Sequence, residues 1–246
     1  MDMKRATRLK FTDYLELTKP RVTLMVLLTT LVGFYLGARG EVDLLLLLHA
    51  LFGTALVAGG TSALNQYLER DIDAKMLRTK NRPLPTGRLS PQQALIFAVS
   101  ISCSGLAYLA LAVNLLTAFL AAATLVSYAF MYTPLKQKTS LSTLVGAIPG
   151  ALPPMGGWAA ARNDLSIEAW VLFAILFLWQ LPHVLAISWL YSEDYRRGGF
   201  PLLPVLDPQG KSASRQIINN CLALLPVSLL PSIIGLAGTV YFVGAL

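Results

Sequence analysis

The chain has 246 residues, of which 55% are hydrophobic and 13% are charged. Soluble domains carry about 25% charged residues, so this composition and a mean hydropathy of +0.59 exclude an ordinary soluble domain. The net charge of +7 could indicate nucleic-acid binding. However, the basic residues lie in short loops between apolar runs, which is typical of the inner face of a membrane protein. We therefore expect the partner of this chain to be a lipid bilayer and not a nucleic acid.

Apolar runs long enough to span a bilayer recur along the chain. A spanning helix needs about 20 mostly apolar residues, and the sequence predicts an all-α integral membrane protein with seven full spans and a partial eighth. The eighth run begins near Leu236 and is still apolar at Leu246, so we expect one domain over residues 1–246 that is truncated at its C-terminus. The predicted full spans are 21–38, 45–67, 92–112, 115–133, 140–161, 168–190 and 214–233.

Lysine and arginine are distributed very unevenly between the two sets of loops. All of them except Arg39 and Arg162 lie in the N-terminal tail, in the loops at 68–91, 134–139 and 191–213, or, for Arg215, at the helix start that adjoins the last loop. Cytoplasmic loops carry the excess of basic residues in membrane proteins. The sequence therefore predicts a multi-pass protein of the cell (inner) membrane whose N-terminus and long loops are cytoplasmic.

Three polar side chains follow one another at helical spacing at the end of the second predicted span. Asn65, Glu69 and Asp73 are spaced i, i+4 and i+8, which places them on one side of a helix over about 12 Å. Carboxylates that are crowded at a region of low dielectric repel one another, and a divalent cation relieves that repulsion. Mg²⁺ is commonly held by one or two carboxylates together with substrate phosphates. We therefore predict that this polar row is catalytic and binds magnesium.

Basic residues follow the polar row directly. The carboxylates would hold the metal, and the cations would neutralise phosphate oxygens that the metal does not reach. An alternative is a solvated loop that obeys the positive-inside rule, although that rule does not explain a one-sided polar row entering a span. The predicted diphosphate contacts in this loop are Lys75, Arg78, Lys80 and Arg82.

The third long loop and the sixth span add further candidates. Asp194 could supply another metal ligand and Arg196 another phosphate contact, or both could simply be surface charges at a helix end. His183 lies inside the sixth predicted span, where an ionisable side chain is costly and is therefore a functional candidate. The alternative is a histidine that is hydrogen-bonded to a backbone carbonyl freed by Pro182.

Several blocks of the sequence resemble the UbiA superfamily of intramembrane prenyltransferases, and their combination resembles its heme-modifying branch. The resemblance implies nine spans around a central cavity open to the cytoplasmic side. It also implies Mg²⁺-dependent transfer of the farnesyl group of farnesyl diphosphate to a vinyl group of heme b (protoheme IX). The blocks are Leu17–Arg21, Asp71–Met76 with Arg78–Pro85, Gly146–Trp158, Phe177–His183, and Asp194–Tyr195 with Gly199 and Pro201–Pro204.

The resemblance also assigns roles to individual residues. The family pattern Asn-x-x-x-Asp-x-x-x-Asp falls on Asn65, Glu69 and Asp73, with Glu69 in place of the more usual first aspartate. A second Asp-x-x-x-Asp pattern begins at Asp194, but Gly198 stands at its other acidic position, so one ligand of a symmetric site is missing. The resemblance further implies a heme contact for His183 and a downstream heme A synthase as a partner.

Three other functions remain open at this point. The first is a UbiA-type prenyltransferase whose acceptor is a quinone precursor or chlorophyllide. The second is a membrane transporter, because charged groups at the ends of duplicated helices also occur there. The third is a non-catalytic membrane scaffold, which would tolerate neutralisation of both Glu69 and Asp73.

Overall fold

The computed structural model describes residues 11–245, and this part of the chain is helical without any strand. The all-α prediction is therefore confirmed for the described residues, while the four basic residues before Phe11 lie outside them. The helices are α1 (Phe11–Leu17), α2 (Pro20–Ala38), α3 (Leu44–Asp73), α4 (Pro91–Ala112), α5 (Leu115–Val126), a π-helical turn (Ser127–Tyr132), α6 (Thr133–Leu135), α7 (Ser142–Arg162), α8 (Ile167–Leu190), α9 (Ser192–Arg197), α10 (Leu203–Leu206), α11 (Lys211–Ile233) and α12 (Thr239–Ala245).

Six helical segments within residues 11–245 are long and apolar enough to cross a membrane. They are α2, α3, α4, the continuous segment Leu115–Leu135, α8 and α11, and each matches a predicted span. The remaining predicted span, 140–161, forms α7, whose interior contains Pro149, Pro153 and Pro154. α7 packs against α2, α5 and α8 in the middle of the bundle. Helix-breaking residues are tolerated there because neighbouring helices surround the disturbed backbone.

Side-chain caps fix where the long helices begin. The carboxylate of Asp43 accepts a hydrogen bond from the backbone of Leu46 at 2.9 Å at the start of α3. Ser90 and Gln93 form a capping box at the start of α4. Such caps satisfy backbone N–H groups that have no partner within the helix. α3 continues to Asp73, six residues beyond the predicted end of its span, and so carries the polar row out of the apolar region.

Small residues let the helices of the bundle approach closely. A Cβ on Gly33 of α2 would lie 1.9 Å from the carbonyl oxygen of Pro154 on α7. A Cβ on Gly60 of α3 would lie 2.1 Å from the Oγ of Ser102 on α4. Van der Waals packing at such contacts drives helix association where lipid removes the hydrophobic driving force. These contacts hold α2, α3, α4 and α7 at fixed positions around the centre of the protein.

We call the end of the bundle that carries Arg39 and Arg162 the closed end. The fully buried Trp158 donates its indole N–H to Asp164 at 3.0 Å. The guanidinium groups of Arg39 and Arg162 both lie 5.8 Å from the centre of the Trp158 ring. Because Trp158 also packs in a core cluster with Leu120, Met155 and Leu172, this end is filled by side chains. The opposite end, which carries the loops at 74–90 and 191–210, is called the polar end.

The short helix α1 lies at the polar end and was not predicted from the sequence. Arg88 forms ion pairs with Asp13 and Glu16 of α1, and these pairs raise the pKa of the guanidinium group even though partial burial opposes them. The amide of Gln66 on α3 donates to the carbonyl oxygen of Leu17 at 2.9 Å. α1 is thereby fixed against α3 and the loop that follows it.

Candidate functional site

The polar row predicted on α3 lies in the protein interior. Asn65 is 3% exposed, Glu69 is 3% exposed and Asp73 is 0% exposed. A buried carboxylate is costly unless it is paired with a charge or a metal. All three side chains are buried on one side of α3. Asp71 lies on the same helix but differs from them, because its side chain is 85% exposed.

Each member of the row is in contact with a basic side chain, and the three basic residues come from three separate segments. Lys19 directly precedes α2, Arg82 lies in the loop after α3, and Lys136 directly follows α6. The pairs are Lys19 Nζ with Asn65 Oδ1 at 2.8 Å, Arg82 Nη1 with Asp73 Oδ2 at 2.7 Å, and Lys136 Nζ with Glu69 Oε1 at 3.4 Å.

Lys19 was not identified as a site residue from the sequence. Its backbone adopts the left-handed conformation, with φ of 47°, which is uncommon outside glycine and marks sites where the surrounding structure enforces strain. Burial lowers the pKa of Lys19 to about 7, and the positive charge of Arg82 acts in the same direction. The only sequence signal was its place in the block Thr18-Lys19-Pro20-Arg21.

Lys136 was also missed, because in the sequence it is one of two lysines in a basic loop. In the structure it is only 9% exposed. Its Nζ lies 4.4 Å from the centre of the Phe200 ring and 5.5 Å from that of Tyr195. A cation over aromatic faces is stabilised electrostatically, so Lys136 connects the polar row to the third long loop.

An apolar cluster joins the two charged loops. Met76, Tyr195, Phe200 and Leu202 are buried together at the polar end. As a result, Asp194 reaches the first loop, where its two carboxylate oxygens accept hydrogen bonds from the backbone N–H groups of Leu77 at 2.6 Å and Arg78 at 3.1 Å. Asp194 was predicted to bind metal. In this structure it fixes the backbone of the loop, and metal binding by Asp194 stays a prediction.

The position of Gly198 explains why the second acidic pattern is incomplete. A Cβ on Gly198 would lie 3.1 Å from the sulfur of Met76 and 3.2 Å from a methyl group of Ile72. These contacts are tighter than ordinary van der Waals contact, so an aspartate at this position would displace the apolar cluster. The two halves of the site are therefore not symmetric.

Within residues 11–245, the other four predicted phosphate contacts form no ion pair with the polar row. Lys75 and Lys80 are exposed. The guanidinium group of Arg78 lies 5.4 Å from the centre of the Tyr191 ring. Arg196 is paired with Glu193 in the preceding turn of α9, at 2.5 Å. Among the five predicted phosphate contacts, the structure therefore places Arg82 directly on the polar row.

An apolar cavity of about 810 Å³ extends from Lys19 between α2, α3, α5, α7 and α8. The π-helical turn presents Tyr128 and Tyr132 to this cavity, with ring centres 5.3 Å apart. Asn65 donates to the hydroxyl of the next residue, Thr133, at 3.2 Å. π-helical turns are rare and are frequently found at functional sites. The turn therefore connects the polar row to the cavity.

The position of His183 differs from the sequence-based expectation of a buried histidine. His183 lines the cavity but is exposed. Its ring stacks on Trp179, with ring centres 4.6 Å apart and planes at 18°. Val22 and Met25 on α2 also line the cavity and are exposed. These side chains place the mouth of the cavity between α2 and α8.

The residues of the polar row fit a magnesium ion that takes part of its coordination from a substrate. Within residues 11–245, no group of three or more His, Cys, Asp or Glu side chains is arranged to hold a metal without other ligands. The Oδ1 atom of Asp73 is buried and has no hydrogen-bond partner in the described part of the chain. An unpaired buried oxygen on a carboxylate is costly, and a cation bound there would relieve that cost. Mg²⁺ is typically held by few carboxylates together with phosphate oxygens.

The fold and the site together define a helical membrane protein with a charged end next to a long apolar cavity, a shape that suits an amphipathic ligand. The chain belongs to the UbiA prenyltransferase family, whose model matches residues 26–246. It is therefore an integral-membrane member of a family of enzymes.

Named relatives and solved structures agree with this assignment. The chain is 53% identical to the protoheme IX farnesyltransferase of Solibacter usitatus, over 95% of this chain and 83% of that protein. It is 45% identical to the protein of the same name from Koribacter versatilis, over 95% and 76%.

Two solved structures share the fold. A UbiA homolog from Aeropyrum pernix K1 has a TM-score of 0.76 and 22% identity, covering 92% of this chain and 83% of that one. A UbiA homolog from Archaeoglobus fulgidus bound to DMAPP and Mg²⁺ has a TM-score of 0.74 and 18% identity, over 95% and 82%. At these identities the similarity shows a common fold.

Proposed function

We propose that this protein is a heme O synthase that transfers the farnesyl group of farnesyl diphosphate to a vinyl group of heme b. The observation that carries the proposal is the buried polar row, flanked by cations, at the end of an apolar cavity. Such a site suits a substrate with a charged head and an apolar tail. The proposed acceptor rests on the relatives named protoheme IX farnesyltransferase, which are 41–53% identical to this chain.

The diphosphate would bind at the polar end, where Lys19, Arg82 and Lys136 neutralise its charge. Lys19 and Lys136 were found in the structure, and Lys75, Arg78, Lys80 and Arg196 stay predicted contacts from the exposed loops. Asn65, Glu69 and Asp73 would hold magnesium, with Asp194 as a further candidate. Bound magnesium supplies electrostatic stabilisation of the leaving diphosphate. Cations that are already in position stabilise developing negative charge without reorganisation.

The apolar lining of the cavity would shield the allylic cation from water until it reacts with the heme. The allylic carbon–oxygen bond of farnesyl diphosphate breaks, and the electron pair leaves with the diphosphate. A vinyl carbon of heme b then bonds to the terminal farnesyl carbon. Water adds to the neighbouring vinyl carbon and loses a proton, which gives the hydroxyethylfarnesyl group of heme O. Tyr128 and Tyr132 line the cavity, where their ring faces would stabilise the positive charge of the allylic cation.

His183 would contact the heme from the mouth of the cavity. Its imidazole is exposed there and stacks on Trp179, and neutral imidazole is a common metal ligand. We expect His183→Ala to raise the KM for heme b about tenfold, equivalent to about 1.4 kcal/mol, without changing the KM for farnesyl diphosphate. An unchanged heme KM and an unchanged absorption spectrum of bound heme would remove this role.

The proposal includes an orientation in the membrane. The loops that carry the site are also the loops rich in lysine and arginine, so they would face the cytoplasm of the cell that bears the protein in its inner membrane. A downstream heme A synthase stays a predicted partner.

The direct test is mass spectrometry of hemes after the full-length protein in proteoliposomes is incubated with heme b, farnesyl diphosphate and Mg²⁺. We expect a heme whose mass has increased by one farnesyl group and one hydroxyl group, because the added water loses a proton. Prenylation of a quinone precursor or chlorophyllide, with heme b unchanged, would support a different acceptor. Substrate flux across the bilayer without any chemical change would support a transporter.

A further inference from the structure

We infer that Gly156 determines the length of the prenyl chain that this enzyme accepts, because it leaves open the deep end of the cavity. The inference rests on the proposed function, since it assigns the prenyl tail of the donor to this space. Gly156 lies on α7 and lines the cavity. A Cβ built on Gly156 would meet no other atom within 4 Å. A larger side chain at this position would therefore extend into the cavity without a clash near the backbone.

Gly156 is the cavity-lining residue of α7 that is nearest to the closed end. The neighbouring Gly157 faces Thr30 of α2, since a Cβ on Gly157 would lie 2.0 Å from the Thr30 carbonyl oxygen. Thr30 is also the cavity-lining residue of α2 that is nearest to the closed end. Lys19 and Thr30 are eleven residues apart, which at helical rise is a depth of about 16 Å. Beyond this level, Trp158 belongs to the buried cluster that fills the closed end.

The chemistry of the lining indicates which substrate occupies this deep end. Among the described residues that line the cavity, Lys19 at the polar end is the only Asp, Glu, Lys or Arg side chain. The two carboxylates of a heme would be costly to bury without cationic partners, which places the porphyrin near the polar end and the mouth. A hydrocarbon tail carries no such cost. The tail of a donor whose diphosphate lies near Lys19 and the polar row would therefore extend towards Gly156.

The size of the open space can be tested with side chains of graded volume. A leucine at position 156 adds four carbon atoms to the deep end, about as many as one isoprene unit contains. Excluding apolar groups from a pocket changes discrimination by about 10–200-fold for each methylene. We therefore expect Gly156→Leu to lower the ratio of kcat/KM for farnesyl diphosphate to that for geranyl diphosphate at least about 100-fold, with Gly156→Ala and Gly156→Val in between.

The experiment measures both donors with heme b as acceptor, in the full-length wild type and in the three variants. Gly238→Leu is the matched control, because Gly238 also has no atom within 4 Å of a built Cβ but is exposed and outside the cavity. Its donor ratio should equal that of the wild type. If Gly156→Leu does not fold, the smaller Ala and Val substitutions decide, since alanine favours a helix over glycine.

The outcomes separate this inference from the proposed function. A graded fall in the donor ratio supports the inference. A ratio that stays at the wild-type value in every folded variant overturns it, and so does a variant that weakens heme binding without changing the donor ratio. A wild-type protein that forms no prenylated heme from either donor contradicts the proposed function itself.

Discussion

Asp73→Asn should reduce the rate of heme prenylation by about 10²–10³-fold, the loss that follows removal of one preorganised electrostatic group from an active site. Asp73 is fully buried, its Oδ2 accepts from Arg82 at 2.7 Å, and its Oδ1 has no partner in the described residues. An asparagine keeps the shape but removes the charge that would bind magnesium and hold Arg82. The measurement is kcat for product heme at saturating donor, acceptor and Mg²⁺.

Asp71→Asn is the matched control for this prediction. Asp71 lies two residues away on the same helix, is 85% exposed, and lies 3.8 Å from Arg70. Exposed ion pairs contribute about 0–1 kcal/mol, so this variant should keep nearly normal turnover. Near-normal turnover in Asp73→Asn, at wild-type protein levels, would falsify the metal role of the polar row.

Asp194→Asn should weaken binding of farnesyl diphosphate and destabilise the polar end. Asp194 accepts hydrogen bonds from two backbone N–H groups, at Leu77 and Arg78. An asparagine offers one oxygen, and its NH₂ group then faces the second N–H. Losing a hydrogen bond to a charged group costs about 1.5–3 kcal/mol, and misplacement of the loop should raise the KM for the donor about tenfold.

The Mg²⁺ dependence distinguishes this positioning role from direct metal binding. If Asp194 acts through the loop, the Mg²⁺ concentration for half-maximal rate should not change in Asp194→Asn. A large increase in that concentration with an unchanged donor KM would instead identify Asp194 as a metal ligand. Glu193→Gln is the control, because Glu193 is exposed and pairs with Arg196 within α9.

The membrane fold and the polar row could be predicted because both depend on local sequence. Hydropathy and length identified six spans that the structure contains as long apolar helices, and i, i+4, i+8 spacing placed Asn65, Glu69 and Asp73 on one side of α3. Burial of all three could not be read from spacing alone. It follows from the extension of α3 beyond its apolar part and from the loops that cover its end.

The residues that sequence analysis missed acquire their roles through tertiary contacts. Lys19 and Lys136 resemble ordinary positive-inside lysines until three segments meet at the polar row. Arg82 was predicted as a phosphate contact, but its pairing with Asp73 requires the turn after α3. The role of Asp194 depends on an apolar cluster between two loops that are distant in sequence. The charge pattern of the sequence therefore indicated a site for a metal and a diphosphate. The packing of the helices and loops determines which charged side chains lie in that site.

The most direct test of the central claim is equilibrium binding of an unreactive farnesyl thiodiphosphate to the full-length protein, with and without Mg²⁺. If the polar row holds the metal that carries the diphosphate, the wild type should bind the analogue at least about tenfold more tightly with Mg²⁺ than with a chelator. Asp73→Asn should lose this difference, and Asp71→Asn should keep it. Equal affinity of the wild type in Mg²⁺ and in chelator would contradict the account.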